Sequence, residues 1–135
     1  SKDPNLVALS GPYSYYDVTP IQNFLVFFYW VFLAMPIYFF VRYMAVAGNL
    51  AVKRSALDLV GGFDKAISFY GDDTDLARKL HTVGKVKFTL SFIMHTSGRR
   101  LRGQGVLKTG ILYAVNFFSE VIFHRPITKE YKDIR

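Results

Sequence analysis

The stretch Gly61–Leu80, GGFDKAISFYGDDTDLARKL, decides how the rest of this chain is read. Gly61 and Gly62 permit a tight or left-handed backbone, Phe63 supplies an apolar anchor, and Asp72, Asp73 and Asp75 crowd carboxylates around Thr74. A like charge within reach raises a carboxylate's pKa and makes it a better proton acceptor near neutral pH, unless a cation or a helix N-terminus absorbs the repulsion. An amphipathic helix begins here: Leu76, Leu80 and Val83 fall at i, i+4 and i+7 on one face, with Arg78, Lys79 and His81 off it. Asp72 or Asp73 is the expected N-cap, and Asp75 sits in the first turn. The GGFD turn, a short aromatic loop (Ile67, Phe69, Tyr70) and a Gly71 hinge put these acids on a loop rim, where sites tend to lie. Acidic first turns also occur in helices that do no chemistry, because negative charge there favours the helix.

These residues resemble the acceptor-side motif of the family 2 glycosyltransferases, inverting enzymes of GT-A fold. The family pattern runs through a glycine and asparagine segment, an Arg, a GGFD, then an acidic pair before Asp-Leu and a basic helix. Its counterparts here are Gly48, Asn49, Lys53 and Arg54, then Gly61, Gly62, Phe63 and Asp64, then Asp72, Asp73, Asp75, Leu76 and Arg78. Asp72 departs from the pattern, standing where the family more often has Glu; the charge is kept and the reach shortened. The resemblance implies an α/β fold, the C-terminal part of a Rossmann-like nucleotide-diphospho-sugar transferase. It makes Asp73 the general base and Asp72 and Asp75 supporting carboxylates. Gly48, Asn49, Arg54, Gly62, Arg99 and Arg100 become donor- or substrate-binding residues. A divalent metal, Mg or Mn, is expected in the full-length enzyme with ligands mainly outside this chain. The implied partners are a nucleotide-diphospho-sugar donor and a hydroxyl acceptor, free or carried on a lipid.

Composition bounds the remainder. In 135 residues, 51% are hydrophobic and 17% aromatic, high for a soluble domain, so an apolar neighbour is expected. The net charge of +7 suits an anionic partner such as a nucleotide diphosphate or an acidic lipid surface. With no cysteine, disulfides and thiolate metal sites are excluded. Leu6 to Leu9 reads as a buried strand ended by Ser10, Gly11 and Pro12, and no signal peptide is recognised before it. In the resembled family this strand follows the nucleotide- and metal-binding half, so the chain is expected to be the later part of a longer enzyme and inactive alone.

Phe24 to Val41 contains no charged residue, a length that qualifies as a transmembrane candidate. One crossing would put the strand at Leu6 and a strand at Ala45 to Val52 on opposite sides of the membrane. A break at Pro36 inside an in-plane or shallow re-entrant helical pair is therefore expected for the hydrophobic insert, about residues 21–44. Ser55 should cap a short helix to Val60, and Lys85 to Phe92 alternates as a half-buried strand. Arg99, Arg100 and Arg102 lie between glycines, as a mobile lid on a diphosphate would. His95 reads as structural. Residues 106–135 form a final segment, an amphipathic helix whose Thr109, Asn116, Ser119 and Glu120 share one stripe, and a charged tail. The expected location is the cytoplasmic face of a membrane.

Three functions compete at this level. An inverting glycosyltransferase explains the GGFD-to-acid arrangement. A membrane prenyltransferase would use the aspartates on Mg²⁺ and a prenyl diphosphate, but those enzymes set their acids at i and i+4 on facing helices. A non-catalytic basic membrane module explains charge and apolar helices and leaves the acids unexplained. No RNA-binding aromatic signature accompanies the arginines, so nucleic acid is not an expected partner.

Overall fold

The computed structural model describes residues 2–66, 71–125, 127 and 128. The expected aromatic loop at Ile67, Phe69 and Tyr70 and most of the charged tail lie outside them. The fold is mixed α/β. Strand β1 (Leu6–Ser10) is central to a three-stranded sheet, antiparallel to β3 (Leu50–Val52) and parallel to β4 (Lys85–Phe88). A second, two-stranded parallel pair joins β2 (Tyr13–Tyr15) to β5 (Met94–Thr96).

Helix α4 (Asp72–Val83) covers the larger sheet because its apolar stripe matches the sheet's inner face: Leu76, Ala77 and Leu80 are fully buried on Val7, Ala8 and Val86. Val83, expected on that stripe, is 40% exposed, since the helix ends there as the chain turns back into β4. Gly84 ends α4, and the reason is space: a Cβ there would stand 2.3 Å from the Val7 side chain.

Several boundaries differ from expectation. The segment before β3 is not a strand, because Ala47–Asn49 forms a 3₁₀ turn and only Leu50–Val52 is extended. Helix α3 (Arg54–Leu59) starts one residue before Ser55, with Lys53 at the cap and no side-chain cap bond; Leu57 and Val60 still pack on the core. The strand at Lys85 stops at Phe88, where Thr89 N–H turns to Ser10 carbonyl.

The apolar insert is one helix, with no break at Pro36. Thr19 caps α1 (Pro20–Tyr29) through a reciprocal capping box with Gln22. A π turn at Trp30–Ala34 then leads into α2 (Met35–Val41). Met35 N–H reaches back to Trp30 carbonyl, a wider spacing than an α turn, and this widening just ahead of Pro36 lets the helix run on past a residue that lacks an N–H. The helix is docked along its length on the domain: Trp30 and Tyr38 pack on Phe88, Ala34 and Met44 fill the space between, and Tyr38 hydroxyl donates to Val86 carbonyl. Its other side is exposed and apolar, including Phe24, Phe32 and Phe40, the last 92% exposed.

Helix α5 (Arg99–Gln104) replaces the expected mobile lid. Asp17 holds its start, accepting from Gly98 N–H, Ser97 hydroxyl and Arg102 guanidinium. Helix α6 (Val106–Phe123) follows, packed on α1, α4 and α5. Its polar stripe is turned inward: Thr109, Asn116, Ser119 and Glu120 are buried, while Leu107, Ile111, Ile122 and Phe123 are more than half exposed. A helix in water has the reverse arrangement. The helices Pro20–Val41 and Val106–Phe123 are both long and apolar enough to cross or insert into a membrane.

Candidate functional site

The acids sit where α4 begins. Gly71, at φ 90°, is the N-cap and makes the left-handed turn that a side chain would strain, so neither Asp72 nor Asp73 caps the helix as expected. All three aspartates instead occupy the first turn. Helix phase then separates them. Asp72 and Asp73, with Thr74, line a cavity of about 310 Å³. Asp75 points the other way, 3% exposed, hydrogen-bonded to Arg78 and 2.6 Å from Lys79 Nζ.

Asp73 is gripped by its surroundings. One carboxylate oxygen accepts from Thr74 N–H at 2.8 Å, and the other from Ala47 N–H at 3.3 Å. Burial above all, and then the neighbouring Asp72 charge, push its pKa up to about 6 against these hydrogen bonds. Asp72 is also raised, chiefly by burial. The like-charge repulsion read from the sequence is real but second to desolvation. The result is a carboxylate of fixed orientation, ionised at neutral pH and unusually basic, as a general base requires.

Gly48 and Asn49 support this site from behind. A Cβ on Gly48 would stand 2.1 Å from the Tyr13 hydroxyl, so it is a side chain that approaches the glycine so closely. The Tyr13 phenol, its pKa raised by burial, also feels the charge of Asp73. Asn49 is 3% exposed, and its amide donates to the carbonyls of Gly11, Pro12 and Phe92. Its own carbonyl accepts from Ser10, whose hydroxyl also accepts Val46 N–H. Asn49 thus latches the turns after β1 and β4 to the segment that delivers Ala47 N–H to Asp73.

The remaining expected residues are scattered. Arg54 is exposed, 3.5 Å from Asp58, and Gly62 lies in a left-handed turn; neither lines the cavity. Arg99 is exposed at the start of α5. Arg100 reaches the cavity rim, donating to the hydroxyl of Tyr113, a lining residue. His95 is exposed on β5.

Sequence reasoning missed most of the cavity wall. Tyr13, Tyr15, Tyr29, Trp30, Tyr113 and Phe117 come from four separate elements. The Tyr13-to-Tyr15 pair beside a polar turn was the one local signal. Among the described residues no group of three His, Asp or Glu side chains is placed to hold a metal ion. Comparison with protein families, with curated proteins and with solved structures found no match for this chain.

Proposed function

We propose that this chain is the acceptor-side part of an inverting glycosyltransferase of GT-A type, with Asp73 as general base. The single observation behind the reading is a half-buried, doubly hydrogen-bonded carboxylate of pKa about 6, facing a cavity at a helix N-terminus. The acceptor hydroxyl gives its proton to Asp73 while its oxygen bonds to the anomeric carbon of a nucleotide-activated sugar. The bond from that carbon to the diphosphate breaks, and the nucleoside diphosphate leaves with the electron pair. A divalent metal would offset the charge on the leaving group in the whole enzyme. The described residues offer no ligand set for one. Arg100, near the rim, is the cation of this chain best disposed toward the substrate.

The test is sugar transfer by the full-length protein from labelled nucleotide sugars to hydroxyl acceptors, measured against pH. A base must be ionised to act, so the rate should fall about tenfold per pH unit below about pH 6 and level off above it. A flat profile from about pH 5 to 8, or no transfer from any nucleotide sugar, would sink the reading.

The same protein lies on the cytoplasmic face of a membrane, with the Pro20–Val41 helix in the plane of the interface. Docking of that helix along the sheet domain, and the pairing of β1 with β3 across it, support lying over crossing. The exposed phenylalanines then face acyl chains, and the net charge of +7 adds attraction to anionic headgroups. Cysteines introduced as Tyr16→Cys and Lys53→Cys, one on each side of the helix in sequence, should be labelled by an impermeant maleimide from the same side. Labelling from opposite sides would establish a span.

A further inference from the structure

The cavity that holds Asp73 is unlike a sugar site over most of its wall. Beyond Asp72, Asp73, Thr74 and Tyr13 at one end, the lining apart from Thr109 and Asn116 is largely aliphatic and aromatic: Val26, Tyr29, Trp30, Ile37, Met44 and Phe117 are typical of it. Hexose hydroxyls buried there would lose water without gaining partners, at a cost of about 1–3 kcal/mol for each unpaired group. The helices that form the wall, α1, α2 and α6, are those whose outer faces are exposed and apolar. Tyr113 and Phe118 belong to both surfaces, lining the cavity while each is 42% exposed. Apolar surface is therefore continuous from the outside of the molecule to the carboxylate.

Two buried polar atoms on residues of this wall, Trp30 Nε1 and Thr109 Oγ1, have no hydrogen-bond partner in the protein. Both can donate, and buried donors without acceptors are costly.

From these features we infer that the acceptor is an amphiphilic alcohol: a hydroxyl-bearing head group on a single long apolar chain, entering from the bilayer between α1 and α6. The hydroxyl meets Asp73, and the chain lies along the aromatic wall. This deepens the glycosyltransferase reading and rests on it for the reaction, though binding can be measured without transfer.

The experiment uses the full-length protein in lipid nanodiscs with a long-chain alcohol carrying a diazirine in mid-chain, adducts being mapped by peptide mass spectrometry. Adducts should fall on Tyr29, Tyr113 and Phe117. They should be competed by the unlabelled alcohol and not by a free disaccharide. Gly110→Leu fills the cavity, since a Cβ at Gly110 meets only the Tyr29 ring at 3.9 Å and 4.0 Å. It should reduce cavity labelling about tenfold with labelling of the outer Phe24 and Phe40 unchanged. Ala114→Leu, on the same wall, gives a second blocking variant should the first fail to fold. Adducts confined to the outer faces, or cavity labelling that neither blocking variant reduces, would overturn the inference. So would competition by the free disaccharide. Cavity labelling that behaves as expected, without transfer from any nucleotide sugar, would support the binding site and count against the glycosyltransferase reading alone.

Discussion

If the proposed glycosyltransferase function holds, Asp73→Asn should lower sugar transfer by the full-length protein by about 10²-fold or more, with donor affinity within a few-fold of the parent. The amide keeps the shape of the carboxyl and one acceptor oxygen for Thr74 N–H, and removes the proton acceptor. Unfolding would mimic this loss, and the pKa shift separates the two. An unfolded carboxyl titrates near 3.8 and Asp73 at about 6, so between these values the folded state holds a proton that the unfolded state has released. Stability therefore falls as pH rises through that window, and above about 6 the ionised side chain costs stability in full. An uncharged amide escapes this cost. The amide loses the bond from Ala47 N–H, which offsets part of that gain, so the melting temperature of the variant near pH 7.5 should stay close to that of the parent. Inactivity with undiminished stability marks a catalytic group. Near-normal turnover would end the assignment of this helix start as the catalytic centre. Asp75→Asn should behave differently, because Asp75 is committed to Arg78 and Lys79. Its loss should act on stability before turnover.

Asn49→Ala should destabilise the protein by about 3 kcal/mol or more, measured by chemical denaturation. The carbonyls of Gly11 and Phe92 lose this donor, while that of Pro12 keeps Met94 N–H, and each orphaned acceptor costs about 1–3 kcal/mol. Asn49→Asp should be at least as damaging, since an ionised carboxylate would face three carbonyl oxygens. The resemblance that singles out Asn49 assigns it to the donor, whereas its bonds make it a latch. The two roles predict opposite readouts. A latch lowers stability and leaves the donor KM of the folded fraction near that of the parent. A donor contact raises KM and leaves the denaturation midpoint in place.

What the sequence determined by itself is what depends on near neighbours. The i, i+4 placing of Leu76 and Leu80 sets the buried face of α4, and both are fully buried. The run Leu6–Leu9 is the central strand, and the charge-free stretch to Val41 is an apolar helix. The polar stripe of Thr109, Asn116, Ser119 and Glu120 is a stripe in the folded helix too. Periodicity reports these because each follows from a single element's geometry.

Only the tertiary structure decided which way each face turns. Periodicity gives a stripe without saying whether protein or surroundings will cover it, and α6 turns its polar side inward, where Asn116 and Ser119 bond to the Leu112 carbonyl, Thr128 and the Arg125 carbonyl and Glu120 lies 4.0 Å from Arg78. Pro36 was expected to break its helix, and a π turn, stabilised where Trp30 packs on Phe88, absorbs it instead. Asp72, Asp73 and Asp75 are alike in sequence. Helix phase sends two to the cavity and one to a pair of cations, and burial, which no count of charges reveals, makes Asp73 basic. The cavity itself joins side chains from β2, α1, α2 and α6, and long-range packing alone brings those together.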